Sequence, residues 1–206
     1  MILRRRTFVA GSLLLPTAMM LPATARAALA ILPAQTEGPY YPPELPADTD
    51  NDLVRIADAA RDAGGEVLEL TGIVRGRDGM PIPGTGIEIW QCDADGHYIA
   101  EGERGRRDQW FQGYGRMTVG EDGAYRFRTI KPVPYGGRTA HIHVKLHPPG
   151  RPVLTSQLYI AGNEGNERDS IYRRLDAEGR QAADMMLEAA DPSTARWRTS
   201  RDLVLG

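Results

Sequence analysis

Residues 114–130 read YGRMTVGEDGAYRFRTI. Tyr114–Val119 and Ala124–Ile130 are short runs suited to strands, with Glu121-Asp122-Gly123 between them. Asp-Gly favours the positive φ of a tight reversal, so this stretch predicts a hairpin. The rest of the chain follows the same rhythm.

Upstream, Val67–Val74 (VLELTGIV) predicts a strand, Arg77–Pro81 a turn, and Gly86–Gln91 (GIEIWQ) a strand whose side chains alternate between two faces. Downstream, Ala140–Leu146 and Val153–Ala161 predict two more strands, and Arg201–Leu205 a closing one. Only Ser170–Ala190 has helical character. Strands at this spacing define a mainly β fold. We expect a Greek-key β-sandwich over residues 67–206, with a short C-terminal helical segment. Residues 33–52 are rich in proline and acids. Residues 28–66 are therefore expected to be an extended arm, with a short helix within Asn51–Ala63 capped by Asp50 or Asn51. There is no internal repeat and no second domain.

The 206 residues suffice for one sizeable domain. Apolar residues make up 41% and charged residues 25%, which excludes wholesale disorder. With a formal charge of −2, no basic surface advertises nucleic-acid binding. A single cysteine, Cys92, rules out an intramolecular disulfide framework and a thiolate-built zinc site.

Residues 1–27, MILRRRTFVAGSLLLPTAMMLPATARA, have the anatomy of an export signal. Arg4–Arg6 open it, Phe8–Leu21 form the mostly apolar run, and Ala25-Arg26-Ala27 offers a small-x-small cleavage site. Arg5-Arg6-Thr7-Phe8-Val9 resembles a twin-arginine signal, a route that carries folded, cofactor-loaded proteins. Its removal takes four arginines and no acid, lowering the formal charge to −6. The mature protein is expected to be bacterial, exported, and without nucleic-acid or membrane partners.

His141-Ile142-His143 lies within a predicted strand, so both imidazoles project from one face. An isolated pair of this kind reads equally as two satisfied polar residues. Carboxylates near it are scarce, which weakens a zinc hydrolase site and a two-His-one-carboxylate ferrous site. The remaining candidates are Tyr98, after a strand and turn, and Tyr135, at the end of a rigid Pro-x-Pro approach. A phenol ionises near pKa ~10 in water, so a neutral-pH tyrosinate needs a strong Lewis acid beside it. Its hard oxygen suits ferric iron better than zinc or copper. Taken alone, each tyrosine also reads as a structural core residue.

These residues together match a family. Trp90-Gln91, Tyr98, Gly115-Arg116, Asp122-Gly123-x-Tyr125-x-Phe127-Arg128-Thr129-Ile130-Lys131-Pro132, Pro134-Tyr135 and Arg138-x-Ala140-His141-Ile142-His143 resemble the intradiol ring-cleavage dioxygenases, nearest the protocatechuate 3,4-dioxygenase branch. Gln157-x-Tyr159 and Thr36-Glu37-Gly38-Pro39-Tyr40-Tyr41 extend the likeness, which runs from about Gln35 to Gly162.

The resemblance implies Fe(III) held by Tyr98, Tyr135, His141 and His143, with Tyr135 and His143 axial. It implies a catechol substrate opened by O2 to a cis,cis-muconate-type product, with Tyr135 also accepting a substrate proton. Arg138 takes the place of the family's active-site arginine, its fixed charge stabilising carbanion character. Substrate contacts are expected from Trp90, Pro39, Tyr40 and Gln157. It also implies a homo-oligomer, in which the arm at 33–46 would cross to a neighbour.

The sequence departs from the family where only Gly136-Gly137 separate Tyr135 from Arg138, a gap that protocatechuate enzymes fill with a longer, aromatic-bearing insertion. The pocket mouth is therefore expected to be open. The helical amino-terminal domain of catechol and hydroxyquinol dioxygenases has no counterpart in residues 28–66. Two rival readings are a non-catalytic transthyretin-like binding module and a zinc hydrolase using His97, His141 and His143.

Overall fold

Val67–Gly76 (β1) is the strand from which the sandwich is built. The computed structural model describes residues 29–100 and 107–206; the predicted export signal at 1–27 lies outside them. Leu68, Leu70 and Val74 alternate along β1 and are fully buried, the pattern of a strand with one core face. On one edge β1 pairs antiparallel with Ala124–Ile130 (β4), from Val67↔Ile130 to Ile73↔Ala124. On the other edge lie, end to end and parallel, Trp197–Ser200 (β9) and Leu203–Leu205 (β10). Glu188–Ala189 (β8) pairs with β9. Gly72 sits where the chain passes from β9 to β10, and a Cβ there would lie 2.0 Å from the Arg201 carbonyl oxygen. Only glycine permits that approach.

In spatial order, the strands of the second sheet are Tyr114–Thr118 (β3), Gly86–Trp90 (β2), His141–His147 (β5), Leu154–Ile160 (β6) and Asp184–Met185 (β7). Ile87, Ile89, Ile142, Val144, Leu146 and Leu158 face Leu68, Leu70, Phe127, Ile130 and Leu203 across the core. Each such side chain contributes ~1.5–3 kcal/mol on burial. The mainly β sandwich expected from the sequence is the fold observed.

Three local expectations are corrected. The hairpin predicted from residues 114–130 does not form. The turn is present, with Gly123 at φ 67 and its N–H on the Gly120 carbonyl, but β3 pairs with β2 and β4 with β1. The Val119 N–H bonds Thr85 and the Gly123 carbonyl bonds Val74, so the turn bridges the two sheets. A turn signal reports chain reversal; the available edges decide the pairing.

No helix forms within Asn51–Ala63. Asp50 Oδ1 accepts the Asp52 N–H, and Asp52 Oδ1 accepts those of Val54 and Arg55. These side-chain bonds compete with a helical ladder. Leu53 and Val54 are buried in the core, and Leu53 bonds the Arg128 carbonyl instead.

Helical structure within Ser170–Ala190 shrinks to a 3-10 turn at Tyr172–Arg174 and an α-helix at Ala177–Ala183 (α1). Asp176 caps α1, its Oδ1 accepting the Gly179 N–H at 2.7 Å. Parallel pairing of β7 with Tyr159 and Ile160 then ends the helix.

The arm packs on its own sandwich. The Gln35 N–H bonds the Thr155 carbonyl, and the Gln35 side chain donates to Ser156 Oγ and the Gln157 carbonyl. No helix among the described residues is long and apolar enough to cross a membrane.

Candidate metal centre

Because Ile142, Val144 and Leu146 take the core face of β5, His141, His143 and Lys145 take the outer face. His141 Nε2 lies 3.2 Å from His143 Nε2. His141 Nδ1 is 2.6 Å from the Thr139 carbonyl, to which it donates, so its Nε2 lone pair faces the cluster. The His143 ring stacks on Trp90, with centroids 4.7 Å apart and planes 9° apart. Burial, then the nearby Arg138 charge, lowers the His141 pKa to about 4. Burial, then His141, holds His143 well below its usual value. Both rings are neutral at pH 7, the form that donates to a metal.

Tyr98 is presented by a turn tied together by Asp93. Asp93 Oδ1 accepts the N–H groups of Asp95 and His97, Oδ2 accepts that of Asp108, and Gly96 takes φ 88. The His97 ring turns to Asp93, 3.6 Å away. Tyr98 is 1% exposed, and its buried hydroxyl has no hydrogen-bond partner among the described residues.

Tyr135 and Arg138 flank a two-residue turn. The Arg138 N–H bonds the Tyr135 carbonyl at 2.7 Å, and Gly136 and Gly137 have φ of 48° and 81°. A reversal with positive φ at both central positions selects glycine. The turn sets the Tyr135 hydroxyl 3.5 Å from His141 Nε2 and its ring 4.9 Å from that of Tyr98. Tyr135 is partly exposed, unlike Tyr98. Burial raises the pKa of both phenols.

The structure thus brings Tyr98, Tyr135, His141 and His143 together. A buried phenol with no partner among the described residues and two imidazole nitrogens facing each other are arrangements that a cation would satisfy, so these four residues fit a metal ion. Among the described residues, no three of His, Cys, Asp and Glu could hold a metal, so the His97-based zinc site is not supported.

Arg138 donates from Nε to Asp169 Oδ2 at 2.7 Å and from Nη2 to Gln157 Oε1 at 2.6 Å. Asp169 also accepts the N–H groups of Thr139, Ile171 and Tyr172. Burial alone would raise its carboxyl pKa; these bonds and the guanidinium outweigh it and hold the pKa below the usual range. Sequence reasoning missed Asp169. Its local signal is an Asx turn, Asp169 Oδ1 to the Ile171 N–H, which marks a bend but no partner.

Of the expected substrate contacts, Pro39 is exposed and Tyr40 partly so, with the Tyr40 ring stacked on Tyr98 at 4.6 Å. Trp90 and Gln157 are fully buried. Trp90 backs His143, and Gln157 braces Arg138 while its Nε2 donates to the Thr36 carbonyl. Tyr159, unassigned from sequence, brings its hydroxyl within 2.6 Å of Gln35 Oε1 and 3.0 Å of Gln157 Oε1.

Fold and site define a β-sandwich carrying a tyrosine–histidine donor cluster on the outer face of one sheet. The Dioxygenase family model matches residues 36–197, and the chain belongs to that family. It is similar to the dioxygenase domain of a dioxygenase carbohydrate-binding protein fusion from Streptomyces sp. SirexAA-E. That structure is 36% identical with a TM-score of 0.68, covering 85% of this chain and 97% of that one. The protocatechuate 3,4-dioxygenase beta chain of Burkholderia cepacia is 31% identical over 66% of this chain and 68% of its own length. The 6-chlorohydroxyquinol 1,2-dioxygenase of Cupriavidus pinatubonensis is 34% identical over 56% of this chain and 48% of its own length. The chain spans about half the length of that relative and of several others it matches.

Proposed function

We propose that the protein is a non-haem Fe(III) intradiol dioxygenase. It opens catechol-type rings between the two hydroxyl-bearing carbons, and both atoms of O2 end in the product's two new carboxyl groups. The observation that carries this reading is the convergence of two phenols and two neutral imidazoles beside Arg138.

Fe(III), when bound, supplies the Lewis acidity that keeps buried phenols ionised and draws charge from a catecholate. The chain's residues do the rest. Tyr98 is sealed from solvent and serves as a fixed donor. Tyr135, partly exposed at the glycine turn, takes the proton of a substrate hydroxyl at its phenolate oxygen. The Arg138 guanidinium, held by Asp169 and Gln157, sets a fixed positive charge beside the site where the ring gains carbanion character. Thr139 fixes the His141 tautomer.

The substrate class is catechol and its alkyl- or hydroxyl-substituted forms. Among the described residues, a Cβ at Gly136 or Gly137 would meet nothing within 4 Å, which supports an open mouth. The relatives' names span catechol, chlorocatechol, hydroxyquinol and protocatechuate. Oxygen uptake by the iron-loaded protein with catechol tests the reading. One O2 consumed per ring opened is expected; no uptake, or a product with an intact ring, overturns it.

The Arg5-Arg6 signal supports export of protein already folded with its iron. Arg5→Lys with Arg6→Lys is expected to retain coloured protein inside the cell; unchanged export overturns this route.

A further inference from the structure

The donor cluster lies beneath residues 36–41 of the arm. Gly38, at φ 74, passes so close that a Cβ there would lie 3.7 Å from His143 Cε1. The Tyr40 ring lies parallel to Tyr98 at 4.6 Å and edge-on to Tyr135 at 5.8 Å. Gly38-Pro39-Tyr40 therefore covers the donors, and something must hold so short an irregular segment in place.

On one flank the Thr36 carbonyl accepts from Gln157 Nε2 at 2.9 Å. The other anchor is Lys145, which neither the sequence reading nor the proposed chemistry uses. It stands on the outer face of β5, with its side chain only 14% exposed. Its Nζ pairs with the Glu37 carboxylate and lies 3.7 Å from the Tyr41 ring centroid. The Tyr41 hydroxyl in turn donates to Glu88 Oε2 at 2.8 Å, and Glu88 faces Lys145 in the β2–β5 ladder. One ammonium thus holds the residue before and the residue after Gly38-Pro39-Tyr40, by an ion pair and a cation–π contact.

We propose that Lys145 is a positioning residue that clamps Gly38-Pro39-Tyr40 as the roof of the substrate pocket. It sets affinity for the ring and leaves the chemical step alone. The substrate half of this inference rests on the ring-cleavage reading; the clamp itself does not.

The test uses full-length, iron-loaded protein carrying Lys145→Met, Lys145→Arg, Glu37→Gln, or Lys145→Met with Glu37→Gln. Hydrogen–deuterium exchange of peptides spanning residues 36–41 reads the clamp, while KM and kcat for catechol read its consequence. For Lys145→Met, exchange is expected to rise about tenfold or more. KM should rise about fivefold, with kcat within about twofold and the visible band unmoved. Lys145→Arg should restore both, and Glu37→Gln should shift both in the same direction. The double variant should be no worse than Lys145→Met alone, because both changes remove one interaction. Unchanged exchange in folded Lys145→Met overturns the clamp. Faster exchange with unchanged KM overturns the positioning role. A wild-type protein without oxygen uptake overturns the ring-cleavage reading instead, and exchange then decides the clamp alone.

Discussion

Asp169 Oδ2 lies 2.7 Å from Arg138 Nε and 2.9 Å from the Thr139 N–H. One fully buried carboxylate therefore aims the guanidinium and fixes the backbone whose carbonyl orients His141. The fixed charge and the His141 tautomer share a single support.

Asp169→Asn is accordingly expected to lower kcat by ~10–100-fold, the usual cost of losing a partner behind a metal ligand. It should also cost about 3 kcal/mol of stability, because Arg138 loses its buried partner. Steady-state kinetics and denaturant unfolding check the two effects separately. The Asp169 pKa is lowered by folding. Its stabilisation is thus fully present above the unfolded carboxylate pKa of ~3.9 and is lost as pH falls through the lower folded value.

The two tyrosines should part company on mutation. Tyr135→Phe keeps three donors, so iron content should stay near wild type while turnover falls ~10²-fold or more with the loss of a base. Tyr98→Phe removes the sealed donor and should cost iron affinity as well. Metal analysis beside oxygen uptake distinguishes the two.

Metal-free protein should lose stability as pH falls from about 6.5 towards 4. The unfolded chain binds protons at His141 through that window, while the folded His141 pKa is lowered to about 4. Urea midpoints at several pH values measure the loss. His141→Gln should reduce the slope in that window, His143 supplying the rest, and an unaltered profile would contradict it.

The glycine turn sets the expected substrate range. With no side chain at residues 136 and 137, catechol and its alkyl- or hydroxyl-substituted forms should be cleaved with kcat/KM values within ~1–3 kcal/mol of one another. Protocatechuate should hold no large advantage. A thousandfold preference, roughly 4 kcal/mol in transition-state binding, would place a carboxylate-binding group at the site.

What the sequence made legible followed from local periodicity. His141 and His143 share a face because β5 alternates, and the reading of two apolar-in strands at 67–74 and 86–91 needed nothing non-local. Tyr98 and Tyr135 stood as candidates by their chemistry, but only the resemblance to a family joined them to the histidine pair, since no spacing rule links them to β5. Asp169 was hidden because its partners, Arg138 and Thr139, lie some thirty residues upstream. The pairing of β3 and β4 was misread for the same reason: the edges offered by β1 and β2 are invisible from the turn between them. The stacking of Trp90 on His143 across the β2–β5 ladder was likewise not legible, a contact that strand alternation does not specify.

The most direct test of the account is the visible spectrum of purified protein loaded with one equivalent of Fe(III), with its metal content measured alongside. Tyr98, Tyr135, His141 and His143 acting as one centre predict one iron per chain and a burgundy protein, from tyrosinate-to-iron charge transfer. That band should shift in Tyr135→Phe and shrink as iron is lost in Tyr98→Phe. An iron-loaded protein without the band, or a band that neither substitution moves, would contradict it.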